Sequence, residues 1–328
     1  MRVAAIKHYG TPEEIMIMDV PIPEPKKGEV LLRVHAAAVN PVDLVTREGT
    51  LIPDDEEELK NRPFAIEPAI FPMVLGWDAA GIIEAVGEGV SNWAVGDRVI
   101  AFSQQIVNHV GTYAEYICLS EEVIAHAPKK IGLSAAATIP LAGLTAYQAI
   151  EWLNLKPGET LLVNAPLGAV GGFAVQLAHH NGIKVVGIGT KVEREFAYSL
   201  GVDRMIDREG DIVAQIYEQF PDGLDGALDV LGGEMARYTF ASLRNGGRYT
   251  STVPSFQREG VSSVDQKDVV SHAVWVQPNS DHLTELSRLA ELGKLQLRVA
   301  EAYPLEHAHK AHHAFSKDRL RGKIILIP

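Results

Sequence analysis

Residues 160–180 read TLLVNAPLGAVGGFAVQLAHH, an apolar run followed by a glycine-rich turn and then by a helical pattern. In this order, the backbone N–H groups at the start of the helix face a bound anion, and the helix dipole favours negative charge. A diphosphate held at such a turn is the signature of a dinucleotide site. We therefore expect a βαβ unit that binds a dinucleotide.

The turn follows the pattern AxxGxxG rather than GxGxxG, so its place between a strand and a helix is what makes it informative. Gly168 allows close approach of the backbone to a ligand, and Gly171 allows close packing of the helix on the strand. A purely structural turn is the alternative. The residues expected to contact the cofactor here are Leu167, Gly168, Ala169, Val170 and Gly171.

The end of the second strand indicates which cofactor is bound, because NAD enzymes normally place an acidic residue there on the ribose hydroxyls. Residues 187–194 read GIGTKVER, with no acid at the tip and two cations just beyond it. This favours a 2′-phosphate and hence NADPH. Glu193 weakens the preference, since Lys191 can also be an ordinary solvated residue. The expected contacts are Thr190 and Lys191, with Arg194 or Arg208 in reserve.

Strands and helices alternate from Thr160 onward, which predicts a parallel sheet covered on both faces. The candidate strands are 160–165, 184–189, 204–207, 226–230, 248–253 and 272–277, and the crossover helices lie near 169–180, 192–200, 211–220 and 234–243.

The first 120 residues instead read as short β segments separated by Pro and Gly, which predicts a β-rich, partly barrel-like domain. The expected segments are 3–7, the Pro21/Pro23/Pro25 segment, 29–38, 81–86 and 98–102. The stretch at 282–295 and the final KIILIP strand depart from the later alternation, so we expect them to return to the first domain. The charge block DDEEE at 54–58 is expected to be a mobile surface loop or short helix.

Composition excludes several classes of protein. Of the 328 residues, 46% are apolar, and 30 Lys plus Arg against 42 Asp plus Glu give a net charge of −12. Without a long basic run, nucleic-acid and anionic-membrane partners are not expected. Cys118 is the only cysteine, which excludes an intramolecular disulfide and a cysteine-cluster zinc site. No targeting signal or spanning segment is recognisable, so a cytoplasmic location is expected.

Further motifs follow one another along nearly the whole chain, and their joint order is specific. They are Asn40-Pro41-Val42-Asp43, PMVLGWDAAGIIEAVGEGV at 72–90, VGDRV at 95–99, GTYAEY at 111–116, SAAATIPLAGLTAYQAI at 134–150 and RGKIILIP at 321–328. Together with the AxxGxxG turn, these motifs resemble those of the medium-chain dehydrogenases/reductases. The resemblance is to their zinc-independent quinone oxidoreductase branch, which includes zeta-crystallin.

This resemblance implies an α/β protein with a GroES-like β-rich domain and a Rossmann doubly wound parallel sheet. Residues 1–120 and 279–328 would form the substrate domain, and residues 121–278 the NADPH-binding domain, with the active site in the cleft between them. The family commonly pairs Rossmann sheets edge to edge, so a homodimer or homo-oligomer through about 272–277 is expected.

The resemblance also implies the site residues. Asn40 and Asp43 would be catalytic, with the Asn40 amide bonded to a carbonyl that gains negative charge; the alternative is a helix start capped by Asp43. Thr145 would lie near the nicotinamide carboxamide. Tyr113 is expected to pack in the β domain rather than line the cleft.

Zinc members of the superfamily carry a Cys near the position of Asn40, and Gly-His-Glu where this chain has Gly-Trp-Asp at 76–78. His309 and His313 have i,i+4 spacing, but their stretch fits an amphipathic helix with several exposed histidines better than a metal site. The expected function is metal-free transfer of hydride from NADPH to a quinone or an α,β-unsaturated carbonyl. A non-catalytic NADPH-binding sensor or structural protein, and a zinc-type alcohol dehydrogenase, are the alternatives.

Overall fold

The computed structural model describes residues 1–50, 69–253, 268–317 and 321–328. The chain divides into two compact units, the first made of Met1–Leu144, Gln277–Gly293 and Leu297–Pro328, and the second of Thr145–Val276 and Lys294–Gln296. The first unit thus runs past the predicted boundary at 120 and resumes near the predicted 279. Assigning substrate and cofactor to separate domains stays a prediction, and the acidic block at 54–58 lies outside the described residues.

The described residues form sixteen strands. They are β1 (Arg2–Ile6), β2 (Met16–Asp19), β3 (Glu29–Ala38), β4 (Met73–Val74), β5 (Asp78–Val86), β6 (Arg98–Phe102), β7 (Tyr116–Ser120), β8 (Ile124–His126), β9 (Thr160–Val163), β10 (Lys184–Gly189), β11 (Arg204–Asp207), β12 (Leu224–Asp229), β13 (Leu243–Ser251), β14 (Val270–Ala273), β15 (Val299–Pro304) and β16 (Lys323–Ile327).

Ten α-helices lie in the same described ranges. They are α1 (Pro41–Glu48), α2 (Gln105–Asn108), α3 (Leu133–Ala136), α4 (Pro140–Leu153), α5 (Ala169–His180), α6 (Arg194–Ser199), α7 (Ile212–Gln219), α8 (Gly233–Ala241), α9 (Ser280–Glu291) and α10 (Ala308–Lys317). Not one of these helices has both the length and the apolar character needed to cross a bilayer.

The first unit contains a seven-stranded sheet in the order β15-β16-β3-β5-β6-β8, with β7 also on β3, and a three-stranded sheet in the order β2-β1-β4. Strand β16 pairs antiparallel with β3, so the end of the chain completes a sheet begun near its start. The predicted strand at Pro21, Pro23 and Pro25 is wrong. Proline cannot donate to a strand ladder, and the strand lies instead at β2, paired with β1.

The second unit is built on a parallel six-stranded sheet in the order β11-β10-β9-β12-β13-β14. The expected parallel sheet is therefore confirmed, and β10, β11 and α5 have the predicted limits. The last strand, β14, begins and ends before the predicted 272–277. Apolar side chains from strands and helices, among them Leu162, Ile206 and Phe240, form the core of this unit.

Helix α10 differs from the prediction in one respect. Ala308 and Ala311 are buried in the core of the first unit, as expected from the spacing of its apolar residues. The exposed histidines expected in this stretch are not found, because His307, His309 and His313 are half-buried and His312 is fully buried. The apolar pattern was right for the helix, but it did not reveal a polar side chain placed on the same inner face.

Candidate functional site

The glycine-rich turn lies between β9 and α5 in the second unit, with Gly168 as the residue that precedes the helix. A Cβ added to Gly171 would lie 1.9 Å from the carbonyl oxygen of Ala165, so only glycine lets the helix pack against the turn. A Cβ on Gly168 would meet only that same oxygen, at 3.5 Å. The turn therefore leaves Gly168 accessible to a ligand at a helix start, an arrangement that fits a dinucleotide diphosphate.

The end of β10 carries acidic as well as cationic side chains. The backbone N–H and hydroxyl of Thr190 donate to Glu193 Oε2, at 2.7 and 2.8 Å, because Glu193 folds back as a capping box. Lys191, whose side chain is 77% exposed, has its Nζ 3.8 Å from Asp207 Oδ2. The strand tip, which has no acid in its sequence, therefore has the carboxylates of Glu193 and Asp207 close to it in the structure.

Arg194, at the start of α6, is exposed, and Arg208, just after β11, is half-buried. Neither guanidinium forms an ion pair with any residue that the structure describes. Strands β9, β10 and β11 are neighbouring and parallel, so the glycine-rich turn, Thr190 and Arg208 all follow strand ends at one edge of the sheet. That carboxyl edge is where open α/β sheets bind ligands.

The structure also places two residues at this edge that the sequence did not suggest. Asp229 ends β12 and is fully buried, and Asn164 follows β9 directly and donates a side-chain hydrogen bond to it. A polar residue at the end of an apolar strand was the only sequence signal for either one.

In the first unit, Asn40 and Asp43 lie at the start of α1 and are almost fully buried. The Asn40 N–H donates to Asp43 Oδ2 at 2.8 Å, and the Asp43 N–H donates to the Asn40 carbonyl at 3.0 Å. The helix start capped by Asp43, which the sequence left open as the alternative to catalysis, is thus present.

The Asn40 side chain is fully hydrogen-bonded within the first unit. Its amide donates to the carbonyl of Ala38 at 3.1 Å and to Asp78 Oδ2 at 3.0 Å. Its Oδ1 accepts from Lys323 Nζ at 2.5 Å. A bond from this amide to a substrate carbonyl would therefore have to replace one of the internal bonds.

Lys323 and Asp78 form a buried ion pair beneath Asn40. Their Nζ and Oδ2 atoms are 2.5 Å apart, and the two side chains are 3% and 0% exposed. The other oxygen of Asp78 accepts the backbone N–H of Leu141 at 2.6 Å. The pair joins β16, near the end of the chain, to β5, which lies two strands away in the same sheet.

A chain of hydrogen bonds leads from Arg47 to Asp43. Arg47 Nη1 is 2.9 Å from His312 Nδ1, His312 Nε2 is 3.2 Å from the Tyr113 hydroxyl, and that hydroxyl donates to Asp43 Oδ2 at 3.1 Å. A guanidinium can only donate, so His312 Nδ1 is the acceptor and its Nε2 carries the proton. Arg47 therefore fixes which atom donates and which accepts at each step of this series of hydrogen bonds.

Burial governs the titration of this chain. It raises the pKa of Asp43 to about 7, with the charge of Asp78 adding to the effect against the bonds from Asn40 and Tyr113. It lowers the pKa of His312 to about 3, and the neighbouring Arg47 cation acts in the same direction. Burial and Asp43 raise the pKa of Tyr113 well above its ordinary value. At neutral pH His312 is therefore neutral, whereas Asp43 is close to its titration midpoint.

Two remaining predicted residues are also buried. Thr145 lies on α4 and is 6% exposed. Tyr113 packs in the core of the first unit, as predicted, although the sequence did not indicate its bonds to Asp43 and His312. Among the residues that the structure describes, no group of three or more His, Cys, Asp or Glu side chains is placed to hold a metal ion.

Comparisons with known proteins agree with this architecture. The family described as "Alcohol dehydrogenase GroES-like domain" matches residues 26–129, and the one described as "Zinc-binding dehydrogenase" matches residues 200–326. A quinone oxidoreductase of Sus scrofa is 31% identical over 343 residues, which cover 100% of this chain and 98% of the relative. The chain belongs to the quinone oxidoreductase branch of the medium-chain dehydrogenase/reductase superfamily.

Two other relatives of this chain bear on its activity and its fold. A chloroplastic NADPH-dependent alkenal/one oxidoreductase of Arabidopsis thaliana is 28% identical over 337 residues, covering 100% of this chain and 80% of the relative. The structure of a quinone oxidoreductase from Coxiella burnetii superposes with a TM-score of 0.87 at 29% identity, covering 100% and 99% of the two chains. The chain is thus an oxidoreductase with a GroES-like domain and a Rossmann-like domain.

Proposed function

We propose that this oxidoreductase uses NADPH, without a metal, to reduce a quinone or an α,β-unsaturated carbonyl compound by hydride transfer. The observation that carries the proposal is the turn at 165–171, where Gly171 packs against Ala165 and Gly168 stays accessible at a helix start. The activities in the names of the Sus scrofa and Arabidopsis thaliana relatives support the choice of acceptor.

The choice of NADPH rests on the cations at the carboxyl edge. Lys191 is largely exposed, and Arg194 and Arg208 have no ion pair with the described residues, so all three are suited to a 2′-phosphate. The Glu193 carboxylate already accepts two bonds from Thr190, which reduces its capacity to accept ribose hydroxyls. The name of the Arabidopsis thaliana relative also specifies NADPH.

The metal-free mechanism rests on the donor chemistry of two positions. Trp77 offers an indole and Asn40 an amide that is already bonded, and neither side chain is a usual zinc ligand. A quinone or an enone is electrophilic without Lewis-acid activation, which a carbonyl or alcohol substrate of a zinc enzyme receives from its metal. The protein then contributes mainly position and exclusion of water.

When bound, NADPH supplies the hydride, and the residues of the chain hold the reactants. Backbone N–H groups within 167–171 would hold the diphosphate, except that of Gly168, which donates to the Ala165 carbonyl. Thr145 would orient the nicotinamide end, as the family resemblance implies. Asn40 and Asp43 act at the reacting end. The Asn40 amide would transfer one hydrogen bond from the Ala38 carbonyl to the acceptor oxygen as that oxygen gains charge, while Asp43 keeps the backbone of Asn40 in place. The anion formed by the hydride would then take up a proton from water.

Purified protein should be assayed with NADPH and NADH side by side against quinones, enones and 2-alkenals. We expect oxidation of NADPH with at least one acceptor and a lower kcat/KM with NADH. Tight NADPH binding without turnover of any acceptor would instead support a non-catalytic binding protein. One zinc ion per purified chain, with activity lost on its removal, would overturn the metal-free mechanism.

A further inference from the structure

The carboxylate of Asp229 lies at the point where the chain reverses its direction across the second sheet. From β9 the chain adds β10 and β11 on one side, and then crosses to add β12 and β13 on the other. In open α/β sheets, ligands bind outside the carboxyl ends of the strands at this switch point. The Asn164 amide, at the end of β9, donates to Asp229 Oδ1 at the end of β12, so their bond spans the switch point.

One oxygen of Asp229 fixes the loop that follows β12. Its Oδ1 accepts the backbone N–H groups of Leu231 and Gly232, each at 3.0 Å. The side-chain oxygen of Asn164 accepts the N–H of Val230, also at 3.0 Å. Three successive N–H groups of this loop are therefore held by two buried side chains, although Leu231 itself is exposed.

The other oxygen anchors the carboxylate to β13. Its Oδ2 accepts the hydroxyls of Tyr249 and Ser251, at 2.8 and 3.1 Å. Ser251 Oγ in turn accepts the N–H of Val253 at 3.0 Å. A Cβ on Gly232 would lie 2.9 Å from Val253 Cγ1, so the loops after β12 and β13 are packed against each other.

The bonds given for the Asp229 carboxylate come from neutral donors. They reach the loops after β9 and β12 and the end of β13, and Ser251 extends the network to the loop after β13. A buried carboxylate with this many bonds is a rigid support, because moving any one loop leaves a buried polar atom unpaired. Asn164 directly precedes the glycine-rich turn, which places the same support under the proposed diphosphate site.

We propose that Asp229, together with Asn164, is a positioning residue for the dinucleotide cofactor. The two side chains hold the loops on either side of the switch point in the arrangement that binds the cofactor. Little conformational entropy is therefore lost when the cofactor binds. This inference rests on the proposed cofactor binding, but it does not depend on the acceptor or on turnover.

Asp229→Ala tests the proposal because it removes both carboxylate oxygens. The N–H groups of Leu231 and Gly232 then lose their acceptor, as do the hydroxyls of Tyr249 and Ser251. We expect NADPH binding, measured by fluorescence titration, to weaken about tenfold or more. Hydrogen exchange in 230–232 should become faster in the cofactor-free protein.

Tyr249→Phe is the matched control, because it removes a bond to Oδ2 and leaves the bonds to the loop intact. We expect a lower Tm but a Kd within about twofold of wild type, since the loops keep their support. If Asp229→Ala does not fold, Asn164→Ala replaces it. This variant loses the bonds to Asp229, Val230 and Thr239, and it should weaken binding in the same way.

The proposal is overturned if a folded Asp229→Ala or Asn164→Ala variant binds NADPH as tightly as wild type. It is also overturned if Tyr249→Phe weakens binding as much as they do, because stability alone would then explain the loss. A wild-type chain that binds neither NADPH nor NADH overturns the proposed function and this inference together.

Discussion

Asp43 is fully buried, and its raised pKa makes its charge depend on pH in the neutral range. Its ordinary pKa is 3.8, and its value in the folded protein is about 7. The folded state therefore binds the proton more tightly than the unfolded state. The resulting stabilisation is present below pH 4 and is lost as the pH rises through 7. His312 acts in the opposite sense, since its pKa falls from 6.5 to about 3 and stability is lost as the pH falls through that range.

Asp43→Asn should separate the two effects. Its carbonyl can accept the bonds from Asn40 and Tyr113, and its amide then occupies the place of Oδ1, which has no hydrogen-bond partner. Because the variant cannot ionise here, its free energy of unfolding relative to wild type should rise by about 1.4 kcal/mol per pH unit between pH 4 and pH 7 and level off above pH 7. Urea denaturation at several pH values measures this difference, and a constant difference would refute the assigned pKa.

Two glycine substitutions separate packing from ligand approach. Gly171→Ala places a Cβ against a backbone oxygen that cannot move freely, so we expect a loss of about 1–3 kcal/mol in stability. Gly168→Ala meets only an ordinary contact within the chain. It should keep the wild-type Tm but bind NADPH more weakly. Unchanged NADPH affinity in Gly168→Ala would contradict the placement of the diphosphate at this turn.

Regular apolar patterns in the sequence predicted the helices and strands well. They could not predict polar contacts between residues that are far apart in the chain. The limits of β3, β6, β10 and α5 follow from alternation, helical periodicity and flanking turns. Asp43 and Arg47, at i and i+4, share one face of α1, and Asn40 immediately precedes the helix. This spacing was an available signal for a buried polar face. The spacing could not show that the partners on that face are His312 and Lys323, which come from the far end of the chain.

The cofactor edge shows a second limit of sequence reasoning. The turn was predictable because strand, glycines and helix are consecutive in sequence. The capping box of Glu193 on Thr190 was not anticipated, although the spacing of these two residues permits it. Asp229 and Asn164 were missed because their bond joins strands that are adjacent in the sheet and 65 positions apart in the chain.

The ion pair between Lys323 and Asp78 controls how β16 is held. Lys323→Met should cost about 3–5 kcal/mol, because it leaves a buried carboxylate without its cation. The double variant Lys323→Met/Asp78→Asn should recover part of that loss, since it removes the unpaired charge. Chemical denaturation of the two single variants and the double variant gives the coupling energy. A Lys323→Met protein as stable as wild type would contradict a structural role for the pair.

At the scale of the whole molecule, we propose a homodimer formed through the edge of the second sheet. Strand β14 pairs only with β13 among the described strands, and Val270 on it is 56% exposed. Light scattering should give about twice the monomer mass of 35.6 kDa. Val270→Lys should shift the mass towards the monomer, because an edge lysine opposes strand pairing. A wild-type mass equal to the monomer would contradict the proposal.

The proposed reaction is hydride transfer from one face of a bound nicotinamide to an electrophilic acceptor. The most direct test uses NADPH carrying deuterium at the 4R or the 4S position, with the best acceptor of the panel, and mass spectrometry of the oxidised cofactor. We predict that NADP⁺ loses the deuterium completely from one label and retains it completely from the other. Loss divided between the two labels, or no oxidation of NADPH with any acceptor, would contradict the account.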